Sequence, residues 1–271
     1  MIVGQISDLH VVEHGLKTLG IAPMAENLTT CVAAINANVP RPDVVVVSGD
    51  ITDTGGIAEA HHAKRLLDAL VMPYHIVPGN HDNRDTLSTA FNTRADHARD
   101  RAFMSYVVDD FNLRLIALDS THPGEPGGQL CAERLAWLDK RLAENPTKPT
   151  MIFLHHPPLN LGVLETDVDG FEGSQEFGRL IRQYTNIKRI VCGHVHVIAA
   201  SDWSGTTVST CPSMGMRLRL DLTMRQNSMF YLDGPAFQLH SLSSDQNLVT
   251  HTIYVRNDDG PYFFDKQDVG R

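Results

Sequence analysis

Val44–Val47 is an unbroken run of four valines, and it sets the terms for the fold. β-Branched residues favour strands, and a strand that is apolar at every position has no face left for water. Such a strand belongs in a sheet covered on both sides. Ile2–Ile6, Tyr74–Val77, Met151–Leu154 and Ile187–Cys192 read as further short strands. Between them the spacing predicts amphipathic helices over Glu26–Asn38, Ile57–Leu70 and Glu133–Leu142. In the first of these, Leu28, Val32 and Ile35 form one apolar stripe. Strands alternating with helices predict an α/β layered fold.

After Val197 the helical periodicity fades. Strands are predicted at Thr206–Ser209, Arg217–Leu222, Ser228–Leu232, Ala236–Leu239 and Val249–Val255, with Asp233-Gly234-Pro235 as a turn. This reads as a β-rich continuation of the core sheet followed by a C-terminal extension. The expected division is a main domain over 1–225 and an extension over 226–271. Met229-Phe230 and Tyr262-Phe263-Phe264 are apolar for a chain end. They either fill the core or pack on a second copy, and a homo-oligomer is expected.

The 271-residue chain carries a net charge of −9, which argues against a nucleic-acid polymer as partner. No stretch has the length and apolarity of a membrane span. The N-terminus shows no secretory signal pattern. Cys31, Cys131, Cys192 and Cys211 have no C-x-x-C spacing. Free thiols and a cytoplasmic location are expected.

Each strand run ends in the same kinds of residue. Asp8 and His10 form D-x-H after the first. Asp50 ends S-G-D after the valines. Asn80, His81 and Asp82 lie in G-N-H-D. His155 and His156 open H-H-P-P, and His194 and His196 form G-H-x-H. Taken singly, each has a plain reading: a surface loop, a turn, a satisfied core histidine. Together they are borderline nitrogen and oxygen donors at the strand ends where layered α/β proteins gather functional groups. Alternate residues in an extended segment point the same way, so both members of D-x-H or H-x-H can reach one centre. Gly49 and Gly79 precede two of the clusters, where a turn or a close backbone approach has no room for a Cβ.

D-x-H, G-D-x-x-D, G-N-H-D, H-H-P-P and G-H-x-H, in this order over about residues 1–200, resemble the calcineurin-like metallophosphoesterase superfamily. Within it the chain is most similar to bacterial class III cyclic-nucleotide phosphodiesterases and to glycerophosphodiesterases. The resemblance implies a four-layer α/β/β/α sandwich, with a β-rich C-terminal extension, around a binuclear centre. It implies that Asp8, His10 and His196 hold one metal, that Asn80, His155 and His194 hold the other, and that Asp50 bridges them. His156 is expected to be no ligand. Asp53 stands where purple acid phosphatases place a tyrosine, which favours two divalent ions: manganese, iron, zinc or cobalt. Asp82 and Asp119 either orient histidines or are satisfied turn residues.

The implied chemistry is hydrolysis of a small phosphodiester, a glycerophosphodiester or a cyclic nucleotide, by a hydroxide formed from metal-bound water. His81, beside Asn80, is the expected catalytic residue, contacting phosphate or protonating the leaving alkoxide. The alternatives are a phosphomonoesterase or nucleotide pyrophosphatase of the same superfamily, and a non-catalytic scaffold. His14 and Lys17 either contact substrate or sit in a solvated loop. The acidic loop Leu159–Glu172 either greets a cationic head group or is plain solvated chain. In the loop after G-H-x-H, Cys211-Pro212-Ser213-Met214-Gly215-Met216, the chain lacks the polar histidine or glutamine that related enzymes often carry.

Overall fold

The computed structural model describes residues 1–92, 103–223 and 228–255. The first half holds β1 (Ile2–Ile6), α1 (Met24–Ala37), β2 (Val44–Ser48), α2 (Ile57–Leu67), β3 (Tyr74–Val77) and α3 (Arg84–Ala90). Next come β4 (Tyr106–Val108), β5 (Arg114–Ala117), β6 (Thr121–His122), β7 (Glu125–Gln129), α4 (Ala132–Glu144) and β8 (Thr150–Phe153). Then follow α5 (Leu164–Asp167), β9 (Phe171–Glu172), α6 (Ser174–Ile181), β10 (Ile187–Cys192), β11 (Ala200–Trp203) and β12 (Thr206–Thr210). The last are β13 (Met216–Leu218), β14 (Phe230–Leu232), β15 (Ala236–Leu242) and β16 (Leu248–Tyr254).

Two mixed sheets form the centre. One has the order β16-β15-β1-β2-β3 and the other β11-β12-β10-β8-β5-β4. Strand alternation explains how they stack. Val44 and Val46 of β2 meet Met151 and Phe153 of β8 in a dry core between the sheets. Val45 and Val47 point the other way, into a core closed by Leu28, Val32 and Ile35 of α1 and by Leu67 of α2. Ile152 shares a third core with Leu138 and Leu142 of α4 and Phe177 of α6. The layers are therefore helix, sheet, sheet, helix. The continuous valine run is apolar on both faces because both faces are covered.

Several boundaries differ from the sequence reading. The second helix ends at Leu67 rather than Leu70, and residues 68–70 close it with turn hydrogen bonds to Lys64, Leu66 and Leu67. Of Arg217–Leu222 only the start is strand, paired with β14 in a two-stranded ribbon. Ala236–Leu239 extends to Leu242, because β15 pairs along β16 over its whole length. β15 also pairs antiparallel with β1, Gln238 against Gln5, so the late strands join the first sheet. Phe230 packs on the helix-side core of that sheet, while Met229 is exposed. Tyr262-Phe263-Phe264 and the 225/226 boundary lie outside the described residues. Among the described residues, no helix is long and apolar enough to cross a membrane.

Candidate metal centre

β1, β2, β3, β8 and β10 all deliver their C-terminal ends to one place. Asp8, His10, Asp50, Asn80, His155, His194 and His196 meet there. The Oδ2 atom of Asp50 lies 3.6 Å from His10 Nε2 and 3.3 Å from His155 Nε2, between two groups of donors. In one group His10 Nε2 faces His196 Nε2 at 3.1 Å, and His196 Nε2 lies 3.5 Å from Asp8 Oδ1. In the other, Asn80 Oδ1 is 3.1 Å from both His155 Nε2 and His194 Nδ1.

The opposite nitrogens explain why these atoms face inward. His10 Nδ1 donates to Asp53 Oδ1, His155 Nδ1 to the Ser48 carbonyl and His196 Nδ1 to the Met216 carbonyl. In the neutral ring each bond places the proton on the outer nitrogen and leaves the inner one a bare lone pair. Two such lone pairs 3.1 Å apart, as in His10 and His196, repel unless a proton or a metal ion lies between them. Asp8 Oδ2 is buried with no partner. Donors held about 2.1 Å from a small divalent ion stand roughly 3–3.5 Å from one another, the spacing seen throughout this cluster. The donor set fits two such ions.

Burial and charge oppose each other here. Burial raises the Asp50 carboxyl, yet His155, His10 and His81 hold it well below the usual range. Burial lowers His155, but the charge and hydrogen bond of Asp50, with Asp8, push it up to about 9. His194, buried beside His155, is pushed down to about 3. Protons and cations compete for the same sites.

The remaining expected residues have definite places. His81 is exposed at the rim; its Nδ1 donates to the Asp53 carbonyl, and its ring stands edge-on to His10. Its backbone N–H donates to Asp50 Oδ1. His156 is saturated: Nε2 donates to the Pro126 carbonyl, and Nδ1 accepts from Ser120 Oγ. Asp82 bonds to no histidine among the described residues. It accepts the backbone N–H groups of Ile51, Thr52 and Gly79 and so ties the Asp50 loop to the Asn80 loop. Asp119 bonds to no histidine among the described residues either: it pairs with Arg84 at 2.6 Å and accepts from the backbone of Met104 and Thr121. The alternative reading of both, as satisfied turn carboxylates, is the one the fold adopts.

In the acidic loop, Asp167 accepts from the backbone of Leu161 and Gly162, and Glu172 from Gln129 Nε2. The loop borders a cavity of about 170 Å³ shared with His156 and His194, where Asn160, Thr166 and Phe171 also line the wall. His14 packs edge-on against His62. Met214–Met216 serves through its backbone. Met214 N–H donates to the Asp8 carbonyl, and the Met216 carbonyl holds His196. The supporting carbonyls of Ser48 and Met216 escaped sequence reasoning, because every residue has one. Asp53 had a signal, a carboxylate three residues after Asp50, although its bond to His10 spans 43 residues.

Residues 1–198 match the family described as calcineurin-like phosphoesterase, and the chain belongs to it. It is 36% identical over 265 residues to "Probable glycerophosphodiester phosphodiesterase GpdQ" of Arcobacter nitrofigilis, covering 97% of each chain. It is 26% identical to "3',5'-cyclic adenosine monophosphate phosphodiesterase CpdA" of Escherichia coli K12, covering 91% of this chain and 86% of that one. The fold is shared with a dimetal phosphatase from Danio rerio, at a TM-score of 0.66, 17% identity, and coverage of 94% of this chain and 99% of that one.

Proposed function

We propose that this chain is a binuclear metal-dependent phosphodiesterase acting on small diesters, glycerophosphodiesters or cyclic nucleotides. Asp8, His10, Asp50 and His196 would hold one divalent ion, and Asp50, Asn80, His155 and His194 the other. One observation carries the reading. Asp50 Oδ2 lies between two groups of donors, and the outer nitrogens of His10, His155 and His196 are already spent on Asp53, Ser48 and Met216. When bound, the ions supply an acidified water and neutralise charge on the phosphoryl oxygens.

The chain's own residues supply the rest. The Asp53 carbonyl takes the Nδ1 proton of His81, so only the imidazolium form, with a second proton on Nε2, can hand that proton to the leaving alkoxide and be left as neutral imidazole. The cavity beside His194, about 170 Å³, is smaller than pockets for drug-sized ligands, roughly 300–1,000 Å³, and suits a small alcohol. Relatives named as a glycerophosphodiester and a cyclic-AMP phosphodiesterase support the diester assignment.

The test is reconstitution of metal-free protein with manganese, zinc, iron(II) or cobalt, with ions counted per chain. Turnover is then compared on bis(p-nitrophenyl) phosphate, p-nitrophenyl phosphate, cyclic AMP, glycerophosphocholine and glycerophosphoethanolamine. Two ions per chain and a diester-to-monoester ratio above one are expected. A ratio well below one would sink the diesterase reading, and fewer than two ions the binuclear one. His81→Ala should keep both ions and lose about 10²–10⁴ in turnover on an alkyl diester, least on a nitrophenyl ester. Unchanged turnover on the alkyl diester would remove His81 from the reaction.

A further inference from the structure

We infer that Gln5 is a positioning residue for the two-ion centre, and that its amide, oriented by His240, sets the spacing of three strands that carry candidate ligands. The inference rests on the two-ion reading above. Gln5 is fully buried on β1, three residues before Asp8. Its Nε2 donates to Ser48 Oγ at 2.8 Å and to the Cys192 carbonyl at 3.1 Å. Ser48 stands two residues before Asp50, and Cys192 two before His194. One side chain thus fastens β1 to the ends of β2 and β10. The first and second belong to one sheet and the third to the other. Ser48 also accepts, on its carbonyl, the proton of His155 Nδ1. A shift of the Ser48 end of β2 moves both Asp50 and His155.

The amide has only one workable orientation. The Cys192 carbonyl demands a donor, so Oε1 must face His240 Nε2, 3.0 Å away. His240 is fully buried too, and its Nδ1 accepts from Thr250 Oγ1 at 2.8 Å. Every donor in the chain points one way, from Thr250 through His240 and Gln5 to Ser48 and Cys192. The surroundings make the choice of residue informative. Val3, Val44, Val46 and Val191 form the dry core between the sheets. A primary amide placed there costs free energy unless each of its polar atoms is bonded, and here each is. Packing alone would be served by an apolar residue. Paired ions roughly 3.5–4 Å apart leave little tolerance for a slipped strand.

Gln5→Met keeps the length of the side chain and removes its hydrogen bonds. His240→Leu removes the orienting donor, while His240→Gln offers an amide N–H in its place. Each variant is prepared metal-free, checked by circular dichroism, titrated with manganese(II) and followed by electron paramagnetic resonance. The wild type should give the signal of a spin-coupled manganese pair. Gln5→Met should bind the second ion about 10–100-fold more weakly and show uncoupled manganese. His240→Leu should follow it, and His240→Gln should recover the coupled signal. A coupled pair at wild-type affinity in Gln5→Met would overturn the inference. So would weaker affinity with unchanged coupling, which marks a role in stability alone. If Gln5→Met does not fold, the two His240 variants decide: equal behaviour counts against the inference and rescue by Gln supports it. Fewer than two ions in the wild type would overturn the two-ion reading, and this inference with it.

Discussion

Asp8, His10, Asp50, His194 and His196 all have positive φ, between 41° and 71°. For residues with a Cβ this left-handed conformation costs about 1–2 kcal/mol each. Five such residues in one cluster mark a backbone bent to aim side chains rather than to suit itself. The compensation is local. Asp8 N–H donates to the Gly49 carbonyl and His10 N–H to the Asp50 carbonyl, so the first two loops hold each other. Close approach matters as much. A Cβ on Gly79 would lie 2.2 Å from Asp50 Oδ1 and 2.4 Å from Asp50 N. One on Gly49 would lie 2.3 Å from His155 Nδ1. Gly79→Ala should therefore push Asp50 out of line and weaken ion uptake about 10-fold or more, read by calorimetric titration of metal-free protein. Wild-type affinity in that variant would show that Asp50 can move without consequence. The sequence made the residue types and the need for glycine legible. The strained φ values carry no sequence signal, because Asp and His occur in every kind of loop.

At the scale of elements, the strand–helix alternation came through because it is a local pattern of apolar residues. The sheet that borders α4 was harder. Arg114–Ala117 is a buried strand, second from the edge of that sheet, yet it opens on an arginine and is only four residues long. Arg114 is buried against the Arg141 carbonyl, so a charged residue marks the interior here. The link between α3 and the end of β5 is also set by contact rather than by pattern. Arg84, the first residue of α3, pairs with fully buried Asp119 and also donates to Thr121. Arg134 donates to the backbone of the same turn, at the Asp119 and Thr121 carbonyls. Burial raises the Asp119 carboxyl, but Arg84 and two backbone donors bring it below the usual range. Breaking a buried pair leaves an uncompensated charge, so Asp119→Ala should cost about 3–5 kcal/mol. The check is the urea midpoint of the metal-free protein, and an unmoved midpoint would mean that Arg84 finds another partner.

The whole molecule closes through its late strands. β15 lies between β16 and β1, so a segment more than 230 residues downstream completes the sheet that starts the chain. His240 within it gives the closure a pH dependence. Burial, with the charge of Arg189, pushes its imidazole down to about 3 from 6.5. Between those values the unfolded chain binds the proton and the folded chain does not. The contribution is therefore full above about pH 6.5 and shrinks as the pH falls toward 3. Linkage at about 1.4 kcal/mol per pH unit makes the loss roughly 2 kcal/mol by pH 5. Urea midpoints of wild type and His240→Gln at pH 7.5 and 5 measure it. Equal drops in both proteins would show that His240 carries none of the acid sensitivity.

Taken alone, the amino-acid sequence determined the layered α/β architecture and brought seven candidate donors and His81 to notice. Both rest on short-range facts: which residues alternate, and which stand at the end of each apolar run. It was the family resemblance, not the residue pattern, that set His156 apart from the candidate ligands; its ring nitrogens bond to Ser120 and Pro126. Only the tertiary structure decided which nitrogen of His10, His155 and His196 turns inward, since the carbonyls and carboxylate that take the other nitrogen come from distant segments. It alone decided that Asp82 and Asp119 brace loops rather than histidines, and that Gln5 meets a histidine 235 residues away. Hydrogen-bond partners are chosen by proximity in space, and proximity across a two-sheet core is not written in the order of the chain.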